Sequence, residues 1–167
     1  YKRQEMQNIV LVGMPGSGKS TVAARLAEKL DRIALDSDAE IEEKNGMSCA
    51  QLIEKHGEAE FRKLESEAIA ALGKRSGAVI ATGGGCVTRE ENYDLLHQNG
   101  IILFIDRPVD ALAVGGGRPL SSSMDALRQM EAQRRPLYLA AADAVIPNNG
   151  TLDDALHAAM EACLLYT

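Results

Sequence analysis

The chain has 167 residues, of which 46% are hydrophobic and 25% charged, and this length fits one domain whose core needs no disulfide or metal. The formal net charge is −6, which argues against nucleic-acid or membrane-surface binding, because those roles need a basic face. The apolar runs fall far short of the ~20 residues of a membrane span. The 3 cysteines form no CxxC pair, so we expect reduced thiols and a cytoplasmic protein rather than zinc binding or a disulfide framework.

Short β-rich runs alternate along the chain with amphipathic helical patterns. Strands are predicted at residues 8–13, 33–36, 78–82, 101–105 and 144–146. Helices are predicted at residues 19–30, 39–44, 49–56, 58–74, 90–98 and 152–164. This alternation predicts an α/β fold with a parallel sheet and helices on both faces. The continuous apolar strands agree, because parallel strands are buried on both sides.

A glycine-rich segment follows the first predicted strand. Residues 13–20 read GMPGSGKS, which matches the phosphate-binding pattern G-x-x-x-x-G-K-[ST]. Its glycines let successive N–H groups point at phosphates, Lys19 supplies a positive charge, and Ser20 offers a hydroxyl to Mg²⁺. A predicted helix leaves the segment, so its positive end faces the same place. The predicted nucleotide-binding residues are Gly16, Ser17, Gly18, Lys19, Ser20 and Thr21.

This phosphate-binding loop does not by itself fix the reaction, because GTPases, motor ATPases and small kinases all carry one. The sequence has no N-K-x-D segment of the kind that reads guanine in Ras-type GTPases. A loop so near the start of a 167-residue chain favours a small-molecule kinase.

Two acidic residues and one arginine are candidates for an acceptor site. Asp36 and Asp38 follow the second predicted strand, where one carboxylate could hold Mg²⁺ and the other could face an acceptor hydroxyl. The alternative is a pair that caps the following helix. Arg62 could bind an anion, or it could be a solvated helix arginine paired with Glu58 or Glu65.

Two further segments each allow a functional and a structural interpretation. Gly83, Gly84 and Gly85 follow the third predicted strand and would let a ligand approach the backbone closely, or they form a loose turn. Arg134 and Arg135 lie just before a proline, and they either bind an anion or are surface charges at a helix break.

Together, these segments resemble the shikimate kinase family. GMPGSGKST, LDSDAEIE, FRKLE, ATGGG, GRPL and RRPLY occur in the order of that family and close to its spacing, across nearly the whole chain. The resemblance implies a three-layer P-loop NTPase fold whose five-stranded parallel sheet has the order 2-3-1-4-5. It also implies ATP-dependent phosphorylation of the shikimate 3-hydroxyl, in chorismate and aromatic amino-acid biosynthesis, by a single domain spanning residues 1–167.

The resemblance further implies a role for each acceptor-site residue. Asp38 would contact the acceptor hydroxyls and act as a base, while Arg62 and Arg135 would clamp the shikimate carboxylate. The backbone at Gly83, Gly84 and Gly85 would line the acceptor pocket.

Other implied roles concern the metal and the lid. Ser20 and Asp36 would hold Mg²⁺. Arg118 would meet the transferring phosphate from a short lid near residues 114–124.

The sequence departs from the family pattern at the adenine site. Residues 111–114 read ALAV where an adenine-stacking arginine is usual, and Asn148 or Asn149 replaces a basic residue near the last strand. With its reduced lid, the sequence resembles most nearly the family forms that are fused to another enzyme of the pathway. The chain begins with Tyr1, so a piece of a fused protein is an alternative to the monomer that we expect. Two other functions stay open: phosphorylation of another small hydroxy acid such as gluconate, and nucleotide binding without catalysis.

Overall fold

The structure is a computed structural model, and it describes residues 7–112 and 123–166. Within these ranges the strands are β1 (Asn8–Val12), β2 (Ala34–Asp36), β3 (Val79–Ala81), β4 (Gly100–Asp106) and β5 (Ala144–Pro147). They form one sheet in the order β2-β3-β1-β4-β5, and every neighbouring pair is parallel. The predicted α/β fold and strand order are therefore confirmed.

Helices connect the strands and cover both faces of the sheet. They are α1 (Lys19–Leu30), α2 (Ser37–Asn45), α3 (Cys49–His56), α4 (Glu58–Gly73), α5 (Glu91–His97), α6 (Met124–Ala141) and α7 (Leu152–Tyr166), with short 3₁₀ turns at Cys86–Thr88 and Val109–Ala111. Among these helices, none combines the length and the apolar character that crossing a bilayer requires.

The alternation of side chains along β1 places a core on each side of the sheet. Ile9 and Leu11 pack with residues of α1 and α7, whereas Val10 and Val12 pack with residues of α4 and α6. Successive side chains of a strand point to opposite faces, so a strand that is buried throughout serves both cores. The continuous apolar strands of the sequence have this structural cause.

Helix α6 excludes the helix break at Pro136, which was one of the two interpretations of the segment with Arg134 and Arg135. The helix continues through this proline to Ala141. Proline cannot donate the hydrogen bond to the carbonyl four residues earlier, which belongs to Ala132. Both Pro136 and Ala132 are exposed, so the missing bond lies on the solvent side of the helix. The buried face of α6 continues with Arg134, Tyr138 and Ala141.

The chain segments that leave the sheet gather at its carboxyl edge. The glycine-rich segment follows β1, Asp36 ends β2, and Thr82 follows β3. In open α/β sheets, ligands bind in the crevice at the carboxyl ends of the strands. The topology therefore collects the sequence-predicted site segments at one edge.

Candidate active site

A cavity of about 480 Å³ opens at this edge of the sheet. Its phosphate end is lined by Pro15, Gly16 and residues 18–21, and its acceptor end by Asp38, Arg62, Glu65, the glycine turn (residues 83–85) and Arg134. Residues that are far apart in the sequence thus line one space.

The phosphate end depends on glycine conformations and on one buried lysine. Gly16 and Gly18 have φ angles of 80° and 94°, which L side chains rarely adopt. Lys19 is the first residue of α1, and its Nζ donates hydrogen bonds to the carbonyls of Gly13 (2.6 Å) and Met14 (2.9 Å). Burial lowers the pKa of Lys19 to about 8. The loop therefore holds its ammonium group among backbone carbonyls, beside the N-terminus of a helix.

Asn148, in the loop after β5, contacts the phosphate-binding loop. Its Nδ2 donates a 2.7 Å hydrogen bond to the carbonyl of Ser17. A Cβ atom on Gly18 would lie 2.9 Å from the same nitrogen. The sequence marks Asn148 only as the replacement of a basic residue, because the contact joins residues 131 positions apart.

The two oxygens of the Asp36 carboxylate make different contacts, so this residue can cap a helix and still offer a ligand to Mg²⁺. Its Oδ1 caps α2 by accepting hydrogen bonds from the amides of Asp38 (2.9 Å) and Ala39 (3.2 Å). Its Oδ2 accepts a hydrogen bond from the hydroxyl of Ser20 at 3.0 Å. A carboxylate and a hydroxyl oxygen next to a phosphate-binding loop are ligands suited to Mg²⁺.

The carboxyl groups of Asp38 and Glu65 converge on the glycine turn. A Cβ atom on Gly83 would lie 2.7 Å from Oδ1 of Asp38 and 2.8 Å from Oε2 of Glu65. Burial raises the pKa of Asp38, and the neighbouring Asp36 carboxylate adds to this increase. Burial likewise raises the pKa of Glu65, which is 1% exposed. Its Oε2 has no hydrogen-bond partner within residues 7–112 and 123–166.

Arg62 is held in the cavity by two glutamates of its own helix. Its Nη1 donates to Glu65 (2.9 Å) and its Nη2 to Glu58 (3.3 Å), so the predicted ion pairs are confirmed. The side chain is not solvated, however, because Arg62 is 9% exposed and its guanidinium lies 5.3 Å from the ring centroid of Phe61. A Cβ atom on Gly85 would overlap this guanidinium. The glycine turn therefore leaves the space that Arg62 occupies.

The prediction that Arg135 lies in the acceptor pocket is wrong in its position, since Arg134 lines the cavity instead. Arg134 is 7% exposed, whereas the side chain of Arg135 is 41% exposed. The Arg135 guanidinium makes a two-fold contact with Asp106 at 2.9 and 2.8 Å. Consecutive residues of an α-helix point about 100° apart, so one turn cannot aim both side chains at the same cavity.

The remaining predicted residues are placed as follows. Gly83, Gly84 and Gly85 line the cavity with Ser20 and Thr21. Cys49, which no sequence pattern marks as functional, lines the cavity as well. Arg118 and residues 114–122 of the predicted lid lie outside the described residues, and Met124 already begins α6.

Comparisons with known proteins agree with this geometry. The family model described as shikimate kinase matches residues 15–164. A shikimate kinase of Parasynechococcus marenigrum (strain WH8102) is 42% identical over 153 residues, which cover 87% of this chain and 80% of that protein. A shikimate kinase of Coxiella burnetii (strain RSA 331 / Henzerling II) is 37% identical over 156 residues, which cover 88% and 87%.

Solved structures give the same result. The shikimate kinase of Acinetobacter baumannii in complex with shikimate superposes with a TM-score of 0.88 at 36% identity, covering 98% of this chain and 94% of that one. The enzyme of Aquifex aeolicus gives a TM-score of 0.81 at 32% identity, covering 93% and 95%. With a P-loop, an acidic pair and two buried arginines around one cavity, and with these relatives, the chain belongs to the shikimate kinase family.

Proposed function

We propose that the protein transfers the γ-phosphoryl group of ATP to the 3-hydroxyl of shikimate, giving shikimate 3-phosphate and ADP in the pathway to chorismate. One observation carries the proposal: a single cavity joins the phosphate-binding loop to Asp38 and to the two buried arginines, Arg62 and Arg134. The relative from Acinetobacter baumannii, which was solved with shikimate, supports the choice of acceptor.

The phosphate end would bind the nucleotide through charge and backbone donors. Lys19 would exchange its two carbonyl partners for phosphate oxygens, and the N–H groups of the loop would hold the β- and γ-phosphates. Ser20 and Asp36 would hold Mg²⁺, which supplies further positive charge beside the phosphates. Arg118, outside the described residues, stays a predicted contact of the transferring group.

The acceptor end would orient shikimate by its carboxylate and its hydroxyls. Arg62 and Arg134 would form hydrogen-bonded pairs with the carboxylate, because guanidinium groups match carboxylate geometry. Asp38 would accept the proton of the 3-hydroxyl while the oxygen of that hydroxyl forms a bond to the γ-phosphorus. The bond from the γ-phosphorus to the oxygen that bridges it to the β-phosphorus breaks, and ADP leaves with this oxygen. In phosphoryl transfer, most of the rate comes from such positioning and charge neutralisation.

One chain would supply every group in this scheme, so we propose a monomer as the working unit. We also propose a cytoplasmic location, because the cysteine pattern is typical of reduced thiols. Small-molecule substrates would be its partners, without nucleic acid or membrane.

A coupled assay of ADP release, with shikimate and with gluconate as acceptors, tests the proposed reaction. We expect ATP-dependent turnover with shikimate and the background rate with gluconate. Release with gluconate but not with shikimate would assign a different acid, and ATP binding without turnover on either acid would favour a module that lacks catalysis.

A further inference from the structure

The carbonyl groups of the glycine turn are hydrogen-bonded within the protein. The first carbonyl accepts from the amide of Cys86 (3.2 Å), and the last accepts from the amide (3.1 Å) and the hydroxyl (2.6 Å) of Thr88. The middle carbonyl, of Gly84, accepts a 2.6 Å hydrogen bond from the phenolic hydroxyl of Tyr138. The first and last bonds are local, whereas the middle one reaches across 54 positions in the sequence. Tyr138 thus ties the turn to α6.

Tyr138 is rigidly placed to make this contact. It is 0% exposed, and its ring stacks on Phe104 with centroids 5.0 Å apart. It follows Arg134 by four residues, so both side chains lie on the same face of α6. Burial raises the pKa of the Tyr138 hydroxyl, so this group remains a neutral donor over the working pH range.

The hydrogen bond from Tyr138 to the Gly84 carbonyl also determines the direction of the Gly85 N–H, because both groups belong to one peptide unit. Every described peptide bond is trans, so the N–H of Gly85 points opposite to the carbonyl of Gly84 in the same planar unit. Gly84 and Gly85 line the cavity, whereas Tyr138 is not among the described residues that do so. The Gly85 N–H therefore points away from the Tyr138 hydroxyl, and Gly85 is itself a residue of the cavity wall. No acceptor for this N–H is found in the described part of the chain.

We propose that Tyr138 is a positioning residue for the acceptor, which acts by orienting the Gly85 amide and by fixing the glycine turn relative to Arg134. The inference rests on the proposed function for the identity of the ligand, and on hydrogen-bond geometry for the role of the residue. The oriented N–H and the guanidinium of Arg134 together form a donor set for a carboxylate or hydroxyl oxygen.

The variant Tyr138→Phe tests this role, because it removes the hydroxyl and keeps the ring that stacks on Phe104. Loss of one oriented donor is expected to raise the shikimate KM about tenfold. The ATP KM is expected to stay within about twofold, because the phosphate-binding loop keeps its own contacts.

Tyr93→Phe is the matched control. The Tyr93 hydroxyl also donates to a backbone carbonyl, that of Val87, and neither residue lines the cavity in the described part of the chain. Both variants lose a partly buried hydrogen bond, so both are expected to melt at a lower temperature. Only Tyr138→Phe should change the shikimate KM. An unchanged KM in Tyr138→Phe, an equal change in both variants, or an equal rise in the ATP KM would overturn the proposal.

A measurement without ligand separates this inference from the proposed function. In protein with isotope-labelled glycine, Tyr138→Phe should shift the amide resonances of Gly84 and Gly85 and leave those of Gly16 and Gly18 in place. If wild-type protein fails to phosphorylate shikimate while these shifts occur, the proposed function fails and the positioning role stands. Unmoved resonances of Gly84 and Gly85 would refute the role whatever the substrate.

Discussion

The two ends of the cavity are built in different ways. The phosphate end comes from one continuous segment, residues 15–21, in which backbone groups and one lysine supply the contacts. The acceptor end comes from α2, α4, the glycine turn and α6, and it depends mainly on charged side chains. Local backbone conformation therefore determines the geometry of the phosphate end, whereas the packing of separate elements determines the geometry of the acceptor end. Changes at the phosphate end should affect ATP with any acceptor, and changes at the acceptor end should affect recognition of the acid.

Removing one essential group from each end should give the largest effects. Lys19→Ala and Asp38→Asn are each expected to lower kcat by about a thousandfold or more, because each removes charge or proton acceptance at the reacting atoms. Titration calorimetry distinguishes the ends: Lys19→Ala should weaken ATP binding, and Asp38→Asn should leave it within about twofold. Circular dichroism checks that both variants are folded. Near-normal turnover by either variant would refute the assigned role.

A methyl group at Gly85 tests the packing of the acceptor end. Gly85→Ala would push the Arg62 guanidinium from its place, since the added Cβ overlaps it. We expect the shikimate KM to rise roughly tenfold to a hundredfold, with the ATP KM unchanged.

Gly150→Ala is the control for this change. Its Cβ would lie 2.8 Å from the Asp154 carboxylate, and neither residue lines the cavity in the described ranges. If both alanine variants give wild-type kinetics, Arg62 tolerates displacement and the space at Gly85 has no role in binding.

The pH dependence of kcat/KM should separate the two ends by the direction of the loss. The side-chain amine of Lys19 must be protonated to attract phosphate, so kcat/KM for ATP should fall as pH rises through about 8. The Asp38 carboxylate must be ionised to accept a proton, so kcat/KM for shikimate should fall as pH drops through its raised pKa. A flat profile for ATP between pH ~7 and ~9 would contradict the assignment of Lys19.

Lys19 should make the free energy of unfolding rise with pH, in the range where kcat/KM for ATP falls. Its pKa is about 8 in the folded protein and has an ordinary value of 10.5, so between these pH values the unfolded chain keeps a proton that the folded one loses. Unfolding must therefore take up a proton, and proton uptake becomes less favourable as pH rises, so the contribution of Lys19 to the free energy of unfolding increases across this window. Urea unfolding of wild type and Lys19→Met across the window measures the difference.

The smallest expected effect lies at the contact between Asn148 and the phosphate-binding loop. Asn148→Asp would place a carboxylate oxygen against the carbonyl of Ser17, which accepts the present hydrogen bond. We expect the ATP KM to rise about threefold to tenfold and the shikimate KM to stay the same. Asn149→Asp, at an exposed neighbour, makes the same charge change and should leave both constants unaltered. Equal effects of the two variants would mean that added charge, rather than the contact, matters.

The phosphate end could be predicted from the sequence because its conformation is encoded in adjacent residues. The strand order came from the resemblance to a family, since alternation alone predicts a parallel sheet without its order. At the acceptor end, Asp38 and Arg62 were predicted, and the i to i+3 spacing of Arg62 and Glu65 already indicated their ion pair.

Which of the two arginines before Pro136 faces the cavity could not be predicted from the sequence. The family resemblance assigned the carboxylate contact to Arg135, whereas Arg134 lines the cavity in the structure. Because the helix continues through Pro136, the spacing of four residues places Arg134 and Tyr138 on one buried face. The contact of Asn148 depends on tertiary packing alone, and no local pattern marks it.

Titration of shikimate into the wild type, Arg134→Lys and Arg135→Lys tests the central claim most directly, namely that one helix face brings Arg134 to Asp38 and Arg62. Lysine keeps the charge but cannot form the paired contact of a guanidinium with a carboxylate. We predict that Arg134→Lys weakens shikimate binding about tenfold or more and that Arg135→Lys leaves the affinity within about twofold. The reverse pattern, or no change in either variant, would contradict the acceptor site described for this chain.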